Sequence, residues 1–524
     1  MNTTDRVLAF AATTIVAVVL VLFRPLPASA DGDADIGAPP SLDTVLTVEE
    51  IGRDLDELQR IIDEEWLLSN LNDADHDAAI ATLREKSNLS IAYFNLEVQK
   101  LLACSGDGHA KVGSLHPSFR EVSNRTAPFG VEPVGDRYIA TDPSSNRRSQ
   151  LWNADYPFVT AIDGVGIEKW VAAAVPYFPR SNPLANRVAA CIHLRYVGYF
   201  RSVLHMDDPP TFQVTLESSD GRRKTLTVDG VTHERFSLLK YNLFLKSLDR
   251  RWTVLDGNIG YLWLPNPAAD GVEQLIEAMP RLRNTQGLVV DLRNNEGGAG
   301  TEALSVLGTW LAGAESPRQV VAIERGRAGL PVAANVPVYA ADSPELTSDG
   351  RQFVACALDG VRSVWSSPAA IPTVDRVVLF APPSVEPRIL PYSFSRFAKA
   401  VPPESVTVYD RPVVVLVDRH CFSAAEIIAA GLQSLPQVTV VGEQTRGGAG
   451  ATQYFPLPIS KTEIVVTSTS VFLTSDGTLI DGQGVVPDLE AGVDLETMAG
   501  PKDTMLDRAI DEIRRRSAQR ASRP

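Results

Sequence analysis

The chain has 524 residues, and its 64 acidic side chains outnumber its 49 lysines and arginines, which gives a formal net charge of −15. An acidic chain lacks the broad basic surface used to bind nucleic acid, so we expect no nucleic-acid partner. The four cysteines, Cys104, Cys191, Cys356 and Cys421, are too widely spaced for a metal-binding motif. They are expected either to form disulfides or to stay reduced as buried thiols.

Residues 1–30 have the pattern of a secretory signal peptide. Arg6 precedes an apolar run from Val7 to Phe23, and Ala28–Ala30 provides small residues for a cut before Asp31. We expect an exported mature chain, periplasmic or extracellular, with no integral membrane span after the signal is removed. If the segment is not cleaved, it tethers the chain to the membrane. The length that remains suggests two or three domains.

Residues 31–47 are polar and rich in proline and glycine, which predicts a linker. Residues 48–125 show the three- and four-residue apolar spacing of helices, so we predict a helical N-terminal domain. The predicted helices cover Val48–Trp66, Asp77–Leu83 and Ile91–Leu102. A glycine-rich turn that contains Asp107-Gly108-His109 follows and leads towards a strand.

Residues 126–250 have mostly extended patterns and are predicted to form a small β-rich domain. Strands are expected before the Asp163–Gly164 turn and on both sides of an Asp220–Gly221 turn, with a helical insert from Ile167 to Phe200. The segment Val159–Gly164 resembles the part of PDZ domains that follows the peptide groove, which implies a degenerate PDZ-like domain. A plain small β domain is the alternative.

Residues 251–500 alternate between strand and helix patterns, which predicts an α/β core. The glycine-rich turn Arg293–Gly300 follows one of the buried strands of this core. In such sheets, ligands bind beyond the carboxyl ends of the strands, where this turn and Ser423 both fall. Residues 501–524 are predicted to be a C-terminal helix and tail. The buried strands expected in the core include Gly287–Leu292, Val413–Val417 and Val438–Val441.

Ser423 lies where the strand Val413–Val417 passes into a helix. Backbone N–H groups at a helix N-terminus have no intrahelical partner, and the helix dipole there favours negative charge. A serine at this place can attack a carbonyl while the N–H of Ala424 binds the developing oxyanion. The alternative is that Ser423 only caps the helix. Cys421 is a second conceivable nucleophile, but strand alternation favours its burial.

Three parts of the sequence together resemble the C-terminal-processing (tail-specific) serine peptidases. Their order and their distances from one another agree with that family. The resemblance implies an α/β core of the ClpP/crotonase-like type, and it suits a PDZ-like domain before the core. The three parts are Val289–Gly298, Phe422–Glu426 with Val441–Thr445, and Gly482–Asp488.

In the bacterial branch of that family the base is a lysine, and the aligned position here is Gly448. The next lysine is Lys461, and a guanidinium such as that of Arg446 cannot release its proton at a useful pH. A serine–lysine dyad is therefore not expected.

The sequence resembles instead the branch of the tricorn core protease and the interphotoreceptor retinoid-binding protein modules. There the base is a histidine from an upstream Asp-Gly-His segment, which implies His109 in this chain. Histidine suits the role because it titrates near neutral pH. His420 is the alternative base, although the turn that carries it is expected to direct its ring away from the serine.

The resemblance also implies an acidic residue before the Gly-x-Gly-Val-x-Pro-Asp motif, and Asp481 stands where a glutamate is usual. We expect Asp481 to orient the imidazole or to complete the proton network. The alternative is a turn aspartate before Gly482. Gly108 stands where the tricorn-type protease carries a serine, so a four-residue arrangement is reduced to three. Asp488 is expected to be a turn or sheet-edge residue.

For the oxyanion, the resemblance implies a glycine N–H from the turn after Asp-Leu-Arg, either Gly297 or Gly298, paired with the N–H of Ala424. Glycine allows the backbone to approach a substrate closely. Glu296 stands where a proline is usual, and its carboxylate has to turn outward for an oxyanion to bind beside it.

The sequence thus predicts an exported serine endopeptidase that cleaves unfolded or flexible peptides through an acyl-enzyme. In this hypothesis His109 deprotonates Ser423 with the help of Asp481, and peptide substrates bind by strand addition to a sheet edge. The expected partner is a peptide or protein substrate, with no metal and no organic cofactor. The alternative is a non-catalytic peptide- or lipid-binding module that retains the peptidase fold.

Overall fold

The computed structural model describes most of the chain, and from Ser41 onward the described residues form one compact unit. The predicted signal segment and Cys356 lie outside the described residues. Within the described part of the chain, no helix is both long enough and apolar enough to cross a membrane. The described residues are 39–142, 151–231, 251–266, 269–298, 302–312, 320–324, 338–339, 376–380, 408–474, 478–499 and 502–522.

The N-terminal region consists of helices and very short strands. Helix α1 (Val48–Arg60) begins at Thr47, whose Oγ1 accepts the N–H of Glu50 at 3.3 Å, while the Glu50 carboxylate accepts the N–H of Thr47 at 2.8 Å. This capping box satisfies two backbone donors of the first turn. The helix continues as a π-helical turn, Ile61–Glu65. The other elements of the region are α2 (His76–Arg84), α3 (Ile91–Ala103), α4 (Leu115–Val122), β1 (Val45–Leu46), β2 (Leu89–Ser90) and β3 (Lys111–Val112).

An antiparallel sheet follows, with the strand order β4-β5-β6-β8-β9 and β7 paired to β6. Its strands are β4 (Gly130–Val134), β5 (Arg137–Thr141), β6 (Phe158–Ile162), β7 (Val165–Gly166), β8 (Thr211–Glu217) and β9 (Arg223–Asp229). Asp163 and Gly164 have φ values of 50° and 73°, the left-handed conformations that a tight hairpin turn requires. The predicted helical insert comprises α5 (Ile167–Ala174), α6 (Pro183–His193) and α7 (Val197–Val203).

A largely parallel sheet forms the centre of the α/β region, in the order β10-β11-β12-β16-β17-β20. All neighbouring strands in it are parallel except the pair β10 and β11. Asp291 pairs with Leu416, so β12 and β16 end side by side and the turns that follow them start together. The strands are β10 (Trp252–Leu255), β11 (Ile259–Trp263), β12 (Gly287–Asp291), β16 (Val413–Val417), β17 (Val438–Gly442) and β20 (Leu489–Glu490).

Both faces of this sheet are covered, which explains the uninterrupted apolar run of β16. Val413, Val415 and Val417 belong to one core cluster together with residues of α8 (Ala269–Leu282), α9 (Glu302–Ala312) and α10 (Ala424–Gln433). Val414 and Leu416 belong to another, with residues of α11 (Leu495–Ala499) and α12 (Thr504–Ala521). A strand buried on two faces has no position for a polar side chain.

A second sheet contains strands from both the N-terminal region and the α/β region. Its order is β14-β15-β13-β19-β18, and the short strand β3 pairs with β19, so Lys111 lies opposite Val465. The residues that follow His109 are therefore held by the same sheet as the residues that follow Gly450. The strands are β13 (Val320–Glu324), β14 (Val338–Tyr339), β15 (Arg376–Phe380), β18 (Ala451–Pro456) and β19 (Glu463–Leu473).

The cysteines give no crosslink within the described residues. Cys104, Cys191 and Cys421 are free thiols, the last two buried. For these three, the structure supports the reduced alternative.

Candidate active site

Ser423 lies at a sharp turn between β16 and α10, as the sequence predicts. Its backbone has φ 56° and ψ −126°, a conformation that costs energy in any residue with a Cβ atom. Two hydrogen bonds hold the turn: the N–H of Phe422 donates to the carbonyl of Asn295 at 3.0 Å, and the N–H of Ser423 donates to the carboxylate of Glu426 at 3.1 Å. Such a strained strand-to-helix turn presents a serine side chain above the end of a sheet.

The glycine-rich turn after β12 packs directly against this serine. A Cβ atom added to Gly297 would lie 2.6 Å from the Cβ of Ser423 and 2.9 Å from the nitrogen of Ala424, so only glycine fits. The N–H of Gly297 donates to the side chain of Asn295 at 2.9 Å. The N–H of Ala424, the first of its helix, has no intrahelical acceptor. The Glu296 side chain is exposed, as the oxyanion hypothesis requires.

His109 is brought to the serine turn by its neighbour Asp107. The Asp107 carboxylate accepts the N–H of His109 at 2.9 Å, the indole N–H of Trp66 at 2.8 Å, and both the N–H and the hydroxyl of Thr467 at 3.0 Å. The imidazole then lies against the ring of Phe422, with 4.5 Å between the ring centroids. Burial, followed by the charges of nearby basic side chains, lowers the pKa of His109 to about 3.

Asp481 lies beside His109. One of its oxygens accepts the N–H groups of Ala449 and Gly450, each at 3.0 Å. An imidazole nitrogen of His109 and a carboxylate oxygen of Asp481 come within 4.8 Å of each other. Nδ1 of His109 and Oδ2 of Asp481 are both buried, and neither has a hydrogen-bond partner among the described residues. Burial, reinforced by the nearby Asp107, raises the pKa of Asp481 well above its usual range.

Asp107, His109 and Asp481 are close enough together to suggest metal ligands. The chemistry of the donor set does not fit a cation, because both oxygens of Asp107 already accept hydrogen bonds from two donors each. A carboxylate so saturated has little lone-pair capacity left for a metal. The His109 ring lies against Phe422, the residue before Ser423, and one of its nitrogens comes within 4.8 Å of an oxygen of Asp481.

The glycine loop after β17 is tied to the serine turn by Glu426. This buried carboxylate accepts the hydroxyl of Thr445 at 2.5 Å, the N–H of Gly447 at 2.7 Å and the N–H of Gly448 at 2.9 Å, in addition to the N–H of Ser423. A Cβ atom at Gly448 would lie 2.3 Å from Cε2 of Phe422. No lysine side chain can therefore occupy this position in this conformation.

The other candidate residues suggested by the sequence make structural contacts. Nε2 of His420 is 4.0 Å from Oε1 of Glu132 on β4. Cys421 is buried, and its thiol donates to the carbonyl of Leu292 at 3.1 Å. Asp488 accepts the N–H of Val440 at 2.7 Å at the edge of β17.

Three positioning residues were not identified from the sequence. Asp107 holds the segment of His109, and Glu426 joins the serine turn to the glycine loop. Asn182, from the helical insert, donates to the carbonyls of Thr445 and Gln483 at 2.7 and 2.9 Å. Only Glu426 had a local signal, because Ser-x-x-Glu before an apolar run is the pattern of a capping box.

Comparisons with known proteins cover most of this site. Residues 258–491, which include Ser423, the glycine-rich turn and Asp481, match the model of Peptidase family S41. A carboxy-terminal-processing protease of Bartonella bacilliformis is 32% identical over 80 residues, which is 15% of this chain and 18% of the length of that protein.

Two solved structures share the fold. Mature CPAF has a TM-score of 0.59 at 14% identity, over 91% of this chain and 99% of that chain. Mature CPAF complexed with lactacystin has a TM-score of 0.60 at 15% identity, over 90% and 99% of the two chains. These likenesses show that the mixed α/β fold is shared over most of the chain. Over residues 258–491, less than half of its length, the chain is similar to peptidase family S41.

Proposed function

We propose that the chain is a serine endopeptidase that uses His109 as its base and Asp481 as the acid beside it. The observation that carries the proposal is the meeting of three segments, far apart in the sequence, around the ring of Phe422. Phe422 precedes Ser423, lies against the ring of His109, and contacts the glycine loop whose last N–H groups bind Asp481. An isolated helix cap needs none of these neighbours.

In the proposed reaction, Ser423 attacks the carbonyl carbon of a peptide bond and its hydroxyl proton passes to a ring nitrogen of His109. The proton then passes to the leaving amine, and an acyl-enzyme remains. Water repeats the sequence with His109 as base and releases the acid and the free serine. The N–H of Ala424 binds the oxyanion, and the N–H of Gly298 is the second donor we propose, because the N–H of Gly297 already binds Asn295.

Asp481 is proposed to fix the tautomer and the orientation of the imidazole. Its second oxygen and Nδ1 of His109 are both buried, and neither has a hydrogen-bond partner among the described residues. Buried polar groups are strongly driven to pair. Pairing of these two atoms would leave the other ring nitrogen of His109 for Ser423.

We further propose that the parallel sheet is a ClpP/crotonase-like core and that residues 126–250 act as a degenerate PDZ-like domain. Two observations support this role. The nucleophile lies beyond the carboxyl ends of parallel strands, and Asn182 of the insert binds both catalytic loops. Strand β18 lies at the edge of its sheet among the described strands, begins at Ala451 directly after the loop that holds Asp481, and is a candidate for strand addition by a peptide.

The test is labelling of the purified chain by a fluorophosphonate probe, together with cleavage of denatured casein. We expect labelling of the wild type, loss of labelling in Ser423→Ala, and strong reduction in His109→Ala and Asp481→Asn. Ser434→Ala, at the opposite end of the same helix, is the matched control and should label normally. A folded wild type that neither labels nor cleaves would refute catalysis and leave a non-catalytic binding module.

The signal-like pattern of residues 1–30 supports an exported location, periplasmic or extracellular. Cell fractionation with N-terminal sequencing of the mature protein tests this. A chain recovered in the cytosol with Met1 to Ala30 intact would contradict it.

A further inference from the structure

We propose that Arg446 and Lys111 form a binding site for a carboxylate of the peptide substrate, next to the reacting serine. This inference rests on the proposed peptidase function and adds a specificity to it. The Arg446 guanidinium lies over the ring of Phe422, with 4.3 Å from Cζ to the ring centroid. The same ring contacts His109, so the cation lies beside both the proposed base and the residue before Ser423.

Lys111 brings a second positive charge to this place. It follows His109 by two residues, on the short strand that pairs with β19, and its side chain is exposed. Its charge and that of Arg446 both act on the imidazole of His109, and Arg446 also acts on Lys111. Because Arg446 and His109 both contact the Phe422 ring and Lys111 follows His109 by two residues, the two cations and the imidazole lie in one region of the protein.

Neither cation is paired within the part of the chain that the structure describes. Among the described residues no ion pair joins Arg446 or Lys111 to a carboxylate, and neither side chain donates a hydrogen bond to an acid. The charge of Glu296, whose side chain is exposed, acts on both groups, and the charge of the buried Glu426 also acts on Arg446. Two unpaired cations close together are unfavourable in the empty protein, and a bound carboxylate removes that repulsion.

A substrate carboxylate bound to Arg446 and Lys111 would also affect the basicity of His109. Positive charge beside His109 disfavours the imidazolium that forms when the base takes the serine proton. A carboxylate bound to Arg446 and Lys111 cancels this charge and makes His109 a stronger base. A substrate of the right chemistry is thus both held in place and made easier to cleave.

The carboxylate can come from an acidic side chain near the scissile bond or from the free C-terminus of the peptide. The experiment first maps one cleavage site in denatured casein by mass spectrometry. Matched synthetic peptides of that site then carry Glu or Gln near the cleaved bond, each with a free or an amidated C-terminus. Wild type, Arg446→Gln, Lys111→Gln and the control Lys169→Gln, an exposed lysine on α5, are compared.

For the wild type we expect kcat/KM to be at least about tenfold higher with the carboxylate than with its neutral counterpart. Arg446→Gln and Lys111→Gln should bring that ratio of kcat/KM values towards one. For the neutral peptide they should also shift the acid limb of the pH profile to higher pH. Lys169→Gln should match the wild type. If kcat/KM depends on Glu, the bound carboxylate is that of the acidic side chain. If kcat/KM depends on the free C-terminus, the bound group is the α-carboxylate.

A wild type that labels and cleaves but shows the same kcat/KM for all four peptides would overturn this inference alone. Equal ratios in the wild type and Arg446→Gln would do the same. Failure of the wild type to label would instead refute the proposed function. Fluorophosphonate labelling of each variant also shows whether a loss of cleavage arises from substrate binding or from damage to the serine.

Discussion

Glu132 gives the sharpest prediction about stability. This residue of β4 is 1% exposed, and neither carboxylate oxygen has a hydrogen-bond partner among the described residues. Its surroundings contain His420 at 4.0 Å and the buried ion pair of Arg419 with Glu443. Burial raises the pKa of Glu132 from 4.5 to about 8; Arg419 opposes this, whereas Glu443 and Asp418 add to it.

The sign of the pH effect follows from this raised pKa. The folded protein holds a proton on Glu132 that the unfolded chain releases, so the contribution to stability is complete below pH 4.5 and is lost as the pH rises towards about 8. At about 1.4 kcal/mol for each pH unit, the loss between pH 5 and pH 8 is about 3 kcal/mol. Asp418, whose pKa burial raises to about 7, acts in the same direction.

The perturbation is Glu132→Gln, which keeps the shape of the protonated side chain and cannot ionise. The assay is urea unfolding at several pH values between 5 and 8, followed by fluorescence and circular dichroism. We expect the difference in unfolding free energy between variant and wild type to shift by about 3 kcal/mol in favour of the variant over this range. Glu85→Gln, at an exposed helix end, should show no such trend.

Parallel curves for the wild type and Glu132→Gln between pH 5 and pH 8 would refute the reasoning. They would mean that the carboxylate is already charged in the folded protein at pH 5. A broad or probe-dependent transition would require the comparison to be made on the first unfolding step alone.

Further predictions concern the proposed chemistry. Gly297→Ala forces a Cβ atom against Ser423 and should lower kcat by about 100-fold or more in a peptidase assay. The control Gly221→Ala has a similar φ and open space around it, so it should cost only about 1 to 2 kcal/mol of unfolding free energy. Equal activity in the two variants would contradict the placement of the turn. Because the pKa of His109 is lowered to about 3, its neutral form persists in acid, so kcat/KM should fall only well below pH 5; a midpoint near 6.5 would contradict this. Asp481→Asn should lower kcat by about 10²- to 10⁴-fold with unchanged circular dichroism, and full activity would exclude its orienting role.

The local elements of the site were predictable from the sequence because their signals are local. Val413–Val417 is a strand with the predicted bounds, and the following helix begins immediately after Ser423. Burial on both faces leaves a continuous apolar run in the sequence, and a change of period marks the helix. By contrast, α4 had no predicted counterpart, since Pro117 in its first turn resembles a loop signal, although proline is tolerated there.

The long-range arrangement could not be derived from periodicity. His109 and Asp481 were identified through family resemblance alone, and their roles remain predictions. The contacts that hold them have no local signature: Asp107 reaches Trp66 and Thr467, and Asn182 reaches the loops near Gln483. Such contacts form only when separate elements pack, so a single sequence does not reveal which polar groups will meet.

The attachment of the histidine segment has a consequence for how activity develops. The segment has no fold of its own, since β3 has only two residues and depends on β19, while Asp107 depends on donors from Trp66 and Thr467. The proposed base therefore reaches the serine only when both ends of the chain have folded together. Covalent labelling of Ser423 should then report completion of global folding, and a partly folded chain would be inert towards its neighbours during synthesis.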